Sequence, residues 1–163
     1  MEKGRLNREV WGVVISLTAL LIIISLVSYN PNDRSLNTPS GLIARNWGGF
    51  VGAFLADLLL QGLGLSAYLL PIFLGLAAYH LFLPGFKGLR ATKATGYAVL
   101  LLGIAVLLSL WIDSEDARDS GGIIGGFLTE SILVPLFGRI SATLIILTTA
   151  LVAIMTVSQK TFG

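Results

Sequence analysis

Cysteine is absent from this sequence. That excludes disulfides, thiolate metal sites and cysteine nucleophiles. Histidine occurs once, as His80, and one imidazole without a thiol is a poor start for a metal centre. Charge is scarce too. Asp, Glu, Lys and Arg make up only 12% of the 163 residues, against a mean hydropathy of +0.85 and 55% hydrophobic residues. A soluble domain carries about a quarter charged residues. So few charges do not cover an aqueous surface, so lipid is part of this chain's solvent. No Gly-Lys pair occurs, which removes the phosphate-cradling loop that nucleotide hydrolysis needs.

What fills the chain instead is apolar runs. Four stand out: Val10 to Tyr29, Leu65 to Leu83, Gly96 to Ile112 and Ile140 to Val157. Each is long enough, at 1.5 Å per residue, to cross a hydrocarbon core of roughly 30 Å as a helix. A helix also pairs its own backbone groups, as lipid demands. The first run follows Lys3, Arg5 and Arg8 as a signal peptide would. Its apolar core exceeds the usual h-region and no A-x-A-like site follows, so it reads as a retained span.

The charges sort by side. The N-terminal arm, the loop from Pro84 to Thr95 and the C-terminal tail hold seven basic residues, among them Lys87, Arg90 and Lys93, against Glu2 and Glu9, a balance of +5. The two other loops hold four Arg against seven acids, a balance of −3. Excess Lys and Arg marks the cytoplasmic side. Both termini and the middle loop are therefore expected inside, and Lys87, Arg90 and Lys93 are read as topology and anionic-lipid contacts. His80 falls on the cytoplasmic side, across the membrane from the loop acids, so no triad of the serine-hydrolase kind is in reach. No catalytic residue, cofactor or metal site is predicted. The acidic run Asp113 to Asp119 lacks the spacing of an EF-hand loop and reads as solvated.

Each outward loop ends in a second, shorter apolar stretch: GGFVGAFLADLLL from Gly48 to Leu60, and GGIIGGFLTESIL from Gly121 to Leu133. A shift of 73 maps Gly49 on Gly122, Gly52 on Gly125 and Asp57 on Glu130. The chain reads as a duplicated unit of span, polar loop, short helix, turn and span, entered both times in the same direction. The short stretches do not reach across a bilayer and are interfacial or re-entrant; spanning would place Lys87, Arg90 and Lys93 outside. Helical spacing puts Gly49, Gly52, Ala53 and Ala56 on one face, and Gly122, Gly125, Gly126 and Thr129 on the equivalent one. Such small-residue stripes let helices approach closely. With Asp57 and Glu130, expected at headgroup level, they are the candidate packing or partner-contact residues. Gly62 and Pro135 are the expected interruptions after the short helices.

The ordered motifs carry a resemblance. Ser28-Tyr29-Asn30-Pro31-Asn32-Asp33 closes the first span; Asn46-Trp47-Gly48-Gly49, Gly52-Ala53-Phe54-Leu55-Ala56-Asp57 and Ala67-Tyr68-Leu69-Leu70-Pro71 follow, and Ser120-Gly121-Gly122 precedes the last span. From about Val10 to Val157 the chain resembles the four-span N-terminal membrane domain of FtsK/SpoIIIE-type DNA translocases. It departs from that pattern at Arg34-Ser35-Leu36-Asn37, where the family often has Ser-Trp-Ser. The resemblance implies an all-α membrane domain that anchors a cytoplasmic DNA-pumping ATPase at the division septum. It also implies division-protein partners, a hexamer when the motor is attached, and no motor or nucleic-acid-binding residues in this segment. A small carrier or channel gated by the two short helices is the alternative.

Overall fold

The computed structural model of the chain describes residues 2–33, 44–83 and 91–158. Lys87, Arg90 and residues 34–37 lie outside them. The described residues form helices and no strand: α1 (Glu2–Val27), α2 (Gly49–Leu63), a 3-10 turn (Gly64–Tyr68), α3 (Leu69–Phe82), α4 (Ala91–Trp111), a 3-10 turn (Ala117–Asp119), α5 (Gly122–Leu128), a π-helical turn (Thr129–Leu133) and α6 (Val134–Ser158). The fold is all-α, and among the described residues four stretches are long and apolar enough to cross a membrane: Arg5–Val27, Gly49–Phe82, Thr92–Trp111 and Gly122–Ser158. The second and fourth run to 34 and 37 residues. At 1.5 Å per residue that would be about 50 Å or more of straight helix, well beyond a hydrocarbon core of roughly 30 Å. The surplus is the short apolar stretch of each repeat, joined to its span through a break.

The breaks are glycines with left-handed backbone. Gly49 (φ +64°) and Gly122 (φ +72°) open the short helices, and Gly64 (φ +58°) and Gly138 (φ +72°) end them. An L side chain pays about 1–2 kcal/mol in that conformation, and glycine does not. The interruptions therefore fall at Gly64 and Gly138, not at Gly62 and Pro135. Pro71 sits instead in α3, after the 3-10 turn that follows Gly64, and Pro135 lies just after the π-helical turn, inside the helix that Gly138 ends. The two copies also differ in length. Positions 49 and 64 are 15 apart, whereas 122 and 138 are 16 apart. The π-turn at Thr129–Leu133 lies inside the longer copy. A π-helical turn holds one residue more than the bonding pattern of an α-helix, so it absorbs the extra position without shifting the glycines that bound the helix.

The chain divides into two compact units: Met1–Leu59 with Tyr68–Leu89, and Leu60–Ala67 with Arg90–Gly163. In the first, α1 and α3 run antiparallel. Gly12 lies against the Phe82 ring near one end, and the Tyr68 hydroxyl donates to the Leu26 carbonyl near the other, at 3.3 Å. In the second, α4 and α6 are antiparallel in the same way. Gly96 packs on Val157, and the Trp111 indole N–H donates to Thr143 Oγ1 at 3.2 Å.

Burial is inverted relative to a soluble protein. Ala19, Ala77, Ala78, Ala105, Ala142 and Ala153 are buried, while Leu17, Leu20, Leu21, Leu144, Leu147 and Leu151 are exposed. Lipid tails are as apolar as leucine, so no hydrophobic force draws large side chains inward; small residues that let backbones close up take the interior. The second unit adds a cluster of Val106, Leu110 and Ala142, flanked by Leu128, Leu133 and Ile146.

The Gly125 and Gly126 pair tests this packing. A Cβ on Gly125 would lie 2.6 Å from the Ala105 carbonyl oxygen, whereas one on Gly126 would meet nothing within 4 Å. Gly125→Ala is expected to lower stability in detergent by about 1–3 kcal/mol through overpacking. Gly126→Ala is expected to leave it unchanged or raise it by up to about 1 kcal/mol through helix propensity. Thermal melts of the two variants give the order, and equal melting temperatures would contradict it.

Candidate functional site

In the first unit the motif residues build a polar clasp where the loop returns to the end of α1. Asn30-Pro31-Asn32-Asp33 forms a tight turn: the Asn32 N–H donates to Asn30 Oδ1 at 2.9 Å, and the Asp33 N–H to the Asn30 carbonyl at 3.0 Å. This delivers the buried Asp33 carboxylate to the far end of the loop. There Oδ1 accepts from the Arg45 N–H at 2.9 Å and Oδ2 from the Asn46 N–H at 2.8 Å. Asn46, also buried, donates from Nδ2 to the Ser25 carbonyl at 2.7 Å and accepts at Oδ1 from the Gly48 N–H at 2.9 Å. Ser28 Oγ accepts from the Trp47 N–H at 2.9 Å. The clasp thus pairs backbone groups that a loop at a membrane surface would otherwise leave unmet.

The clasp decides which small residues are needed. A Cβ on Gly52 would come within 2.5 Å of Asn46 Oδ1 and 2.9 Å of Ser25 Oγ. Ala53, Ala56 and Asp57 share the buried side of α2, each at most 1% exposed. Asp57 is therefore not at a solvated headgroup surface: its Oδ1 accepts from the Tyr29 hydroxyl at 3.0 Å. Burying a carboxylate is costly unless it is hydrogen-bonded, and Tyr29, the residue after Ser28 in the closing motif, is placed to do this. Gly49 is exposed, with nothing near a built Cβ, so its glycine serves the left-handed turn and not the packing stripe.

In the second unit the close approach is of backbone to backbone. A Cβ on Gly121 would overlap the Ala105 carbonyl oxygen, and Gly125 meets the same atom one turn on. Thr129 Oγ1 continues the line by donating to the Val106 carbonyl at 3.4 Å. The contact stripe is thus Gly121, Gly125 and Thr129. Gly126 lies off it. Gly122 packs elsewhere, on the turn at the end of α2: its Cβ would overlap the Gly62 carbonyl oxygen, and one on Gly64 would overlap the Ser120 carbonyl oxygen and Gly122 N. The Leu65 N–H donates to the Ser120 carbonyl at 2.9 Å across this contact. Glu130, the positional equivalent of Asp57, is exposed. In the acidic loop, Asp116 accepts from the Arg118 N–H and Nε, both at 3.0 Å, and these bonds hold its carboxyl below the usual carboxylate range. Lys93 is half-buried near the start of α4. His80 Nδ1 lies 2.6 Å from the Leu76 carbonyl, and among the described residues no cluster of three metal-ligating side chains occurs.

Comparison with known proteins sets this architecture in a family. Residues 4–163 match the model of the 4TM region of DNA translocase FtsK/SpoIIIE. The chain belongs to the FtsK 4TM family. It is 29% identical over 143 residues to the DNA translocase FtsK of Shewanella oneidensis, covering 83% of this chain and 16% of that protein. Identity to the DNA translocase FtsK of Vibrio vulnificus is 32%, over 90% of this chain and 16% of that protein. For that of Azospirillum brasilense it is 33%, over 80% of this chain and 22% of that protein. The chain thus spans about a fifth or less of the translocases it matches. The matched part is the membrane region and not the ATPase motor. No solved structure matches.

Within the FtsK 4TM family resemblance, Asp33, Asn46, Gly52 and Asp57 were legible as motif letters, but their joint purpose was not. Ser25 and Gly121 were missed as contact residues, since one is an ordinary serine in an apolar run and the other adjoins three further glycines. Asp33→Ala would strand two backbone N–H groups, each worth about 1–3 kcal/mol when buried and unpaired. It is expected to lower the melting temperature clearly more than Arg45→Ala, whose side chain the clasp does not use. Melts of the two in the same detergent decide, and the reverse order would remove Asp33 from the clasp.

Proposed function

We propose that these residues act as the septal membrane anchor of a DNA-translocating motor, placing it where cytokinesis and chromosome segregation meet. The observation that carries this is the match of residues 4–163 to the translocase 4TM region, joined to four helices of membrane-crossing length and composition. Anchoring needs no catalysis. It needs insertion that is effectively irreversible, which several spans supply and a single lipid chain does not. It also needs a fixed orientation, which the basic residues of the N-terminal arm and of the segment around Lys87, Arg90 and Lys93 support. The outward loops and the short-helix faces are the surfaces offered to other division proteins. Self-association into a hexamer would follow the attached motor. Nucleic acid is not an expected partner of this segment, because Lys87, Arg90 and Lys93 carry less charge than useful affinity for a phosphate backbone needs. The broken helices at Gly64 and Gly138 are the one feature that would suit a small carrier instead.

Two measurements test the anchor. A fluorescent fusion of the 163-residue chain is expected to concentrate as a band at midcell in dividing cells; an even rim around the whole membrane would sink septal anchoring. For orientation, the lack of native cysteine makes single-cysteine labelling clean. Arg90→Cys is expected to resist a membrane-impermeant thiol reagent added outside, and Glu115→Cys to react. Labelling of position 90 from outside would invert the topology.

A further inference from the structure

From Trp47 to Leu58 the exposed side of α2 carries no polar side chain. Phe50, Val51, Phe54 and Leu58 fall on it at helical spacing, and Trp47 precedes them on the same line. Trp47 is 77% exposed and Val51 75%. The charged residue of α2, Asp57, is turned the other way and buried with Gly52, Ala53 and Ala56. Helices that rest on a membrane surface keep a strongly polar face for water. The exposed side of α2 has none, so water is not what covers it.

The position of α2 follows from what it touches. The Trp47 N–H donates to Ser28 Oγ, a Cβ on Gly52 would lie 2.9 Å from Ser25 Oγ, and Asp57 accepts from the Tyr29 hydroxyl. From 47 to 57 the chain advances about 15 Å, or about three turns. Its three contacts nevertheless fall within Ser25–Tyr29, where α1 closes. A helix running alongside α1 would move along it by that whole distance. α2 therefore lies across the end of α1, at the level where the span leaves the hydrocarbon. Trp47 marks the same level, since tryptophan favours the boundary between headgroups and acyl chains. There α1 itself is exposed at Ile24 and Val27, so the face of α2 continues the lipid-facing surface of the span.

A second helix is the other occupant such a face could take. Helices associate in lipid through small residues. The small residues of α2 are already packed within its own unit, and the side it turns outward is bulky. Bulky apolar side chains are what α1 shows to lipid, as at Leu20 and Leu21.

We propose that α2 is a wedge in one leaflet. Acyl chains of the leaflet at the loop end of α1 pack on Phe50, Val51, Phe54 and Leu58, and Trp47 holds the helix at their boundary with the headgroups. At that end the described residues of the first unit form three helices, α1, α2 and α3; toward the other leaflet they form α1 and α3. A helix is about 10–12 Å across, so the unit displaces more lipid from one leaflet than from the other. Membrane whose loop-side leaflet is spread by curvature accommodates it best, as for other helices inserted from one side. This goes beyond the anchoring role. The proposed topology decides only that the leaflet is the external one. The face of α2 is thereby given to lipid, and the outward loops are left for protein partners.

Two measurements on the purified 163-residue chain in vesicles test the wedge. In the first, position 54 carries the single tryptophan, through Phe54→Trp with Trp11→Phe, Trp47→Phe and Trp111→Phe. Phosphatidylcholine brominated in its acyl chains is expected to quench most of the fluorescence, and aqueous iodide to leave it unchanged. Quenching by iodide would put the face in water, and fluorescence that neither quencher reaches would give it to another protein surface; either overturns the proposal. In the second, Arg45→Cys, an exposed loop position, reports from which side an impermeant thiol reagent reaches the loop. The outer leaflet of a small vesicle is spread. The fraction labelled from outside is therefore expected to be higher in small sonicated vesicles than in large extruded ones. Phe50→Ala with Val51→Ala narrows the wedge and should erase most of that difference. Both side chains are exposed, so the melting temperature in detergent should stay near the parent's. Leu20→Ala with Leu21→Ala, on the shaft of α1, should keep the difference. A labelled fraction independent of vesicle size would sink the wedge. So would a size dependence that the α2 pair leaves intact, or one that both pairs abolish alike.

Discussion

Direct contact between backbones, without side chains between them, is the constraint on which this structure rests. In lipid, large apolar residues gain nothing by moving inward, so helices associate through close packing and hydrogen bonds. The contact of Gly121 and Gly125 with the Ala105 carbonyl, and the mutual contact of Gly64 and Gly122, bring main chains to distances that a single Cβ would forbid. Gly64 and Gly122 meet two demands at once, since both also have left-handed backbone. A glycine bound by sterics and by conformation together has no substitute among the L-amino acids.

The two repeats solve one problem with different chemistry. Each must turn a chain that has just left the membrane back into it without unpaired polar backbone. The first uses side chains, with Asp33 and Asn46 clasping the loop onto the end of α1. The second uses glycine contact, an Asp116-capped turn and a π-turn that takes up one residue. The acids that the repeat aligns have parted accordingly: Asp57 is buried against Tyr29, while Glu130 is exposed beside a cavity. Duplication of a fold does not oblige equivalent positions to keep equivalent environments.

For an anchor, this division of labour has a functional sense. The spans present leucine and isoleucine to lipid and need little specificity. In each unit the parts that carry exact geometry are the loop, the short helix and its flanking turns. Polar groups there can be exposed without the penalty they would meet in hydrocarbon.

Much of this was legible in the residues. Four long apolar runs, scarce charge and the 73-residue repeat determined a helical membrane domain of four spans with two short helices. The ordered motifs pointed to the translocase family. Hydrophobicity and length suffice for that, because lipid allows few solutions to backbone pairing. Tertiary structure decided the rest. Whether Gly49 or Gly121 is a contact glycine, whether a break falls at Gly62 or Gly64, and whether an aspartate faces headgroups or a tyrosine all depend on which backbone comes within a few ångströms. Residues far apart in sequence set that distance, and a one-dimensional pattern of small and apolar letters does not contain it.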